Sequence, residues 1–127
     1  FLGDVTGDIE DIIYFYPDMV FHIVSGNCDI FSVYPAADIA EVAGHRIFFT
    51  HGHTLGVKYG TERLISAART AGCDIALYGH THVSKTLYED GMYVVNPGSC
   101  AEPREGGKSY AVIDIEKNGI MPVIINI

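Results

Sequence analysis

A chain of 127 residues that is 48% hydrophobic, 11% aromatic and only 19% charged can bury a real core, which excludes a disordered chain, and its length fits one domain spanning 1–127. Eight Lys plus Arg against sixteen Asp plus Glu give a formal charge of −8, which excludes a broad cationic nucleic-acid face but not a phosphorylated substrate held by metal cations. No apolar run approaches the roughly 20 residues of a membrane span and no signal-peptide pattern opens the chain. Cys28, Cys73 and Cys100, odd in number and without C-x-x-C spacing, read as reduced thiols of a cytoplasmic protein.

Phe1-Leu2-Gly3-Asp4 reads as the end of a strand entering a loop, so a preceding segment is expected. IEDIIYFY (9–16) can form a short helix stopped by Pro17. MVFHIV (19–24) reads as a buried strand, with His22 a core histidine, and it gives way to Gly26-Asn27-Cys28-Asp29. IAEVA (39–43) and RIFFT (46–50) flank an Ala-Gly-His turn as a hairpin that leaves His45 solvated. Thr61 is an N-cap for a helix over 62–71, where Leu64, Ile65 and Ala68 share a face and Gly72 closes the end. IALYG (75–79) is another short buried strand. Asp90-Gly91 joins TLYED (86–90) to MYVVN (92–96), and Lys117-Asn118-Gly119 joins YAVIDIE (110–116) to IMPVIINI (120–127), giving two hairpins. Strands with a helix between them predict an α/β fold, with a mixed sheet or two packed sheets.

The chemistry-bearing side chains all sit just past apolar runs. Asp4 follows Phe1-Leu2-Gly3, Asn27 and Asp29 follow MVFHIVSG, His51 and His53 follow RIFFT, and His80 and His82 follow IALYG. Layered α/β folds gather ligands at this edge of the sheet. Imidazole, carboxylate and amide oxygen together suit Zn, Mn, Fe, Ni or Co better than Ca or Mg. The donors outnumber what one closed site requires, so two metals sharing a carboxylate fit the inventory better, an arrangement that performs phosphoester chemistry. The i, i+2 histidines leave two geometries open: one shared face on a regular strand, or separate metals from a loop. Taken singly, Asp4 and Asn27 are ordinary turn residues, and only the constellation makes them ligands. Gly106-Gly107-Lys108-Ser109 is not a phosphate loop, because Glu102 stands where that motif needs glycine.

Gly-Asp at 3–4, GNCD at 26–29, THGH at 50–53 and GHTH at 79–82, in this order, resemble the motifs of the calcineurin-like metallophosphoesterases. The short length and NPGS (96–99) with Pro103-Arg104 resemble the small bacterial and archaeal phosphodiesterases of the YfcE type. The resemblance implies a layered α-β-β-α sandwich of two mixed sheets flanked by helices. It also implies that the first strand and helix, with their Asp-x-His motif, are missing from this chain. Two divalent transition-metal ions are implied, manganese before nickel, iron, zinc or cobalt. Asp4 would bridge them, Asn27, His51 and His80 would complete one site, and His82 would belong to the other.

The implied activity is hydrolysis of a small phosphoester, a diester before a monoester, by a metal-bridging hydroxide. His53, not spent on metal, would contact phosphate or donate a proton, and Asp29 would cap or support the loop from behind. Cys28 occupies a position where many relatives carry a proton-donating histidine, and a thiol with a pKa near 8.5 matches that task poorly. His53, Asp29 and Cys28 therefore make up the candidate catalytic group. Gly98-Ser99 and Arg104 could border the site, and Thr54, Leu55 and Tyr59 could line its pocket. The alternative is a non-catalytic protein-interaction scaffold, like the metallophosphoesterase-like subunit of retromer. Apolar, Tyr-rich strands would allow a homo-oligomer.

Overall fold

The computed structural model describes residues 1–127. Its elements in chain order are α1 (Gly7–Phe15), β1 (Ala37–Val42), β2 (His45–Thr50), α2 (Glu62–Thr70), β3 (Ile75–Tyr78), β4 (Ser84–Glu89), β5 (Met92–Pro97), β6 (Ser109–Glu116) and β7 (Gly119–Asn126). The first five strands form one sheet in the order β1-β2-β3-β5-β4. β2, β3 and β5 run parallel, whereas β1 and β4 pair antiparallel at its edges. This is the expected mixed sheet. The second sheet, β6 with β7, is a two-stranded antiparallel hairpin rather than a mixed sheet.

The layering follows from which faces are apolar. α2 carries Leu64, Ile65 and Ala68 on one stripe and buries all three against Ala76, Tyr78, Met92 and Val94 of the sheet. On the opposite face Val24, Ala40, Ile47, Phe49 and Ile75 are buried, with Ile115 of β6 and Ile120 of β7 packed onto them. Burial of side chains this size contributes roughly 1.5–3 kcal/mol each relative to exposure.

Three expectations need correction. MVFHIV is extended but forms no ladder. Phe1 supplies one rung, donating to His22 O at 2.7 Å and accepting from Val24 N at 3.1 Å, and only Ile23 and Val24 of that run are buried. His22 is therefore exposed and rests edge-on against Phe49, with ring centroids 5.6 Å apart. His45 is not free in solvent: its Nδ1 lies 2.5 Å from Asp74 Oδ2, while Asp74 Oδ1 accepts the Arg46 amide. The turn is held to the start of β3 by that carboxylate.

Candidate functional site

The parallel core of the sheet sets the site. Thr50 pairs with Tyr78 at the ends of β2 and β3, so the next residues, His51 and Gly79-His80, leave side by side. Gly79 N donates to His51 O at 3.1 Å and continues the ladder by one bond. His80 and His82 then adopt left-handed backbone with φ of 65° and 57°, a conformation that costs a non-glycine residue energy and recurs at functional sites. Both residues lie in the loop between β3 and β4 rather than on a regular strand.

Asn96, fully buried near the end of β5, holds this loop: its Nδ2 donates to Gly79 O and Thr81 Oγ1, both at 3.0 Å, and its Oδ1 accepts Gly98 N at 2.9 Å. Sequence reasoning missed Asn96. The available signal was a polar residue closing an apolar strand immediately before Pro-Gly.

The other two loops are stapled together by Asp29. Its carboxylate accepts the amides of Asp4 (2.8 Å), Thr6 (2.8 Å) and Gly26 (2.7 Å) and the Thr6 hydroxyl (3.2 Å). Burial alone would raise its pKa, but these donors outweigh it and hold the carboxyl below its ordinary value. Asp4 and Val5 are left-handed, with φ of 61° and 60°. Gly26 is required by close approach, since a Cβ there would lie 2.2 Å from Asp4 Oδ1. Cys28 N completes the contact by donating to Asp4 Oδ1 at 3.1 Å.

Within this frame Asp4, Asn27, His51 and His80 come together. His51 is 2% exposed, and its Nδ1 donates to Leu2 O at 2.7 Å, which leaves Nε2 as a lone pair. Around Nε2 lie Asn27 Oδ1 at 3.0 Å, His80 Nδ1 at 3.1 Å and Asp4 Oδ2 at 3.4 Å. Desolvation lowers the pKa of His51, and desolvation followed by the charge of Lys58 lowers that of His80 to about 4, so both rings are neutral bases at pH 7. His82 donates Nδ1 to Glu102 O at 2.8 Å and turns Nε2 toward the same Asp4 oxygen, 4.0 Å away. Asp4 thus stands between two imidazole sets.

This arrangement fits a divalent cation. Donors each held at about 2.1 Å from a metal lie about 3.0 Å apart in an octahedron and about 3.4 Å apart in a tetrahedron. The three separations around His51 Nε2 span that interval. No group of three or more His, Cys, Asp or Glu side chains is by itself placed to hold a metal ion, and the amide oxygen of Asn27 lies outside that count.

The remaining predicted residues separate. His53 sits in a short 3-10 turn, its ring 5.3 Å from that of His51 and 6.0 Å from that of His80, and its Nδ1 is buried without a partner. Cys28 is an exposed free thiol whose pKa is pushed up, first by the Asp4 charge, so it is no thiolate at neutral pH. Arg104 reaches His82 through its backbone amide, which donates to His82 O at 3.1 Å. Leu55 packs onto the core beneath α2 and Tyr59 points into solvent, so neither closes a pocket.

Comparison with known proteins identifies the family of the chain. The calcineurin-like phosphoesterase superfamily domain matches residues 1–118. Among curated proteins, the chain is 29% identical over 99 residues to the probable metallophosphoesterase YsnB of Bacillus subtilis, covering 77% of this chain and 59% of that protein. It is 30% identical over 110 residues to phosphodiesterase YfcE of Escherichia coli, covering 80% and 54%. The chain thus spans a little over half the length of these relatives. Among solved structures, a predicted phosphoesterase from Streptococcus pneumoniae superposes with a TM-score of 0.82 at 25% identity, covering 98% of this chain and 86% of that one. Vps29 from Entamoeba histolytica superposes with a TM-score of 0.79 at 24% identity, covering 98% and 79%, and shares the fold.

Proposed function

Because this chain belongs to the calcineurin-like phosphoesterase superfamily, we propose that it contributes to the active site of a metal-dependent phosphodiesterase of the YfcE type, acting on a small phosphoester in the cytoplasm. The observation that carries this reading is the convergence of Asp4 Oδ2, Asn27 Oδ1 and His80 Nδ1 on the unprotonated Nε2 of His51. Those four residues would hold one divalent ion, manganese first among the candidates. Asp4 would share its carboxylate with a second ion held also by His82. Bound metals would supply a Lewis acid for the phosphoryl oxygens and lower the pKa of a water for in-line attack on phosphorus.

The chain's own groups do the rest. Leu2 O fixes the His51 tautomer, and Glu102 O fixes that of His82. Asp29 fixes the backbone that presents Asp4. His53, whose ring lies 5.3 Å from that of His51 and 6.0 Å from that of His80, is the group available to donate to a phosphoryl oxygen. Cys28 stays protonated beside Asp4 and is a weak acid for a departing alkoxide.

The test is metal content together with hydrolysis of an aryl phosphodiester, with and without Mn²⁺, for the protein and for His80→Ala. Loss of both metal and activity in the variant is expected, and unchanged values would overturn the assignment. A second reading, a protein-binding scaffold, is supported by the fold shared with Vps29. It predicts no turnover with any divalent metal.

A further inference from the structure

We propose that Ser99 is the positioning residue for His82: its hydroxyl builds the turn whose Glu102 carbonyl holds the His82 ring. Ser99 thereby governs the side of Asp4 that His82 occupies. That the ring serves a metal ion rests on the phosphodiesterase reading, whereas the orientation of the ring by Ser99 does not. Ser99 Oγ accepts the amides of Glu102 at 2.9 Å and Ala101 at 3.3 Å, which takes up both of its lone pairs. Those two bonds turn the chain so that Glu102 O accepts His82 Nδ1 at 2.8 Å. Arg104 N donates to His82 O at 3.1 Å, and residues 102–104 thus grip both the ring and the backbone of His82. Residues 101–107 lie in no helix or strand and make no other hydrogen bond within the protein. Every bond that orders this segment therefore ends on Ser99 or His82.

Ser99 is itself fixed from both sides. Its carbonyl accepts Ser109 N at 3.0 Å, at the start of β6. Just before it, Gly98 N donates to the buried Asn96 at 2.9 Å, and Ser109 Oγ donates to Pro97 O at 2.7 Å. Gly98 has a φ of 83°, and a Cβ there would lie 2.2 Å from Ser109 Oγ, so no other residue enters the turn without displacing that hydroxyl. The two sheets hold the chain as far as Ser99, and its side chain extends that hold to Glu102.

A residue that served folding alone would leave another trace. Ala101 and Glu102 are exposed, so water can replace the Ser99 acceptor, and its removal leaves no buried donor unpaired. The fold then loses little, while the His82 ring loses its tether. His51 takes its tautomer from Leu2 O and is independent of Ser99. The two imidazoles that face Asp4 Oδ2, at 3.4 Å and 4.0 Å, thus answer to different parts of the chain.

The test uses the full chain with ¹⁵N-labelled histidine, metal-free in EDTA, where long-range ¹H–¹⁵N spectra at mildly alkaline pH show which ring nitrogen carries the proton. The unaltered protein should show His82 protonated on Nδ1. Ser99→Ala should move His82 toward the Nε2–H tautomer and leave His51 on Nδ1–H. Its thermal midpoint should fall by less than about 4 °C. Ser99→Thr, which keeps the hydroxyl, should restore the unaltered spectrum. Mn²⁺ titration reads the consequence. Ser99→Ala should weaken one of two binding steps about three- to tenfold, less than the roughly 10–100-fold of a ligand's direct hydrogen-bond partner. The other step should stay within about twofold. An unchanged His82 tautomer in Ser99→Ala, equal changes at His51 and His82, or a Thr variant as altered as the Ala variant would overturn the inference. If the unaltered protein binds no Mn²⁺, the phosphodiesterase reading fails, while the His82 tautomer still decides the role of Ser99.

Discussion

The Asp29 carboxylate accepts the backbone amide of Asp4 at 2.8 Å, so one acidic residue fixes the presentation of another across two loops. The same carboxylate binds the Gly26 and Thr6 amides, and removing it leaves three oriented donors unpaired. Asp29→Asn keeps the shape but turns an NH₂ group toward an amide. We expect a loss of roughly 1–3 kcal/mol in stability, with metal affinity falling further than stability alone would require. Chemical denaturation and metal titration on the same variant check this; an unchanged metal affinity would show that Asp29 acts on folding only.

Acid should weaken the metal-free protein through His51, His80 and Asp29, whose lowered pKa values all act with the same sign. His80 has its pKa lowered from 6.5 to about 4, so the unfolded chain binds a proton that the folded one refuses. Stability from this source is full above pH 6.5 and falls as pH drops toward 4. Asp29 is held below its ordinary 3.8, so its contribution is present above that value and is lost as pH falls through the folded pKa. Denaturation midpoints in EDTA between pH 7.5 and 3 should fall in both ranges, and the lower one should flatten in Asp29→Asn. A flat profile above pH 4 would contradict the neutral, desolvated His80.

Lys58 acts on His80 as a positive charge and forms no ion pair with any carboxylate. In a chain of net charge −8 it is a cation available to steer an anionic ester to the histidine rim. Lys58→Ala should raise KM about two- to fivefold at low salt and leave kcat within twofold, and the difference should shrink as ionic strength rises. Steady-state kinetics at two salt concentrations check it.

Cys28, protonated beside Asp4, should favour substrates whose leaving groups need no acid. Activated aryl diesters should therefore be turned over far faster than alkyl monoesters. Cys28→His should narrow that gap, by roughly 10²-fold at most, through gain on the alkyl ester. Comparable rates on both substrates in the unaltered protein would remove Cys28 from the leaving-group step.

The helices and hairpins were legible because local rules write them. Leu64, Ile65 and Ala68 keep helical spacing, and Asp90-Gly91 sits where a tight turn must be. The candidate donors were legible for a different reason, since each follows an apolar run that the sheet aligns. MVFHIV failed as a strand because a strand is defined by its neighbours, and only Phe1 lies alongside it. His45 and Asp74 are 29 positions apart, and nothing local in either segment signals their pairing. Asn96 carried a local mark, a polar residue closing an apolar strand, but its partners Gly79 and Thr81 lie on another strand's loop. The apolar loop at Ile30–Val33 also gave no periodicity to read.

The glycine-tight contact between Gly26 and Asp4 has a consequence for assembly. The candidate donors descend from four loops that meet only after the parallel strands are in step, so the unfolded chain offers no comparable set. Cation affinity and conformational stability are then two readings of one equilibrium, and a metal titration doubles as a folding assay. At a hundred times its dissociation constant, an ion that binds only the folded form would add about 2.7 kcal/mol.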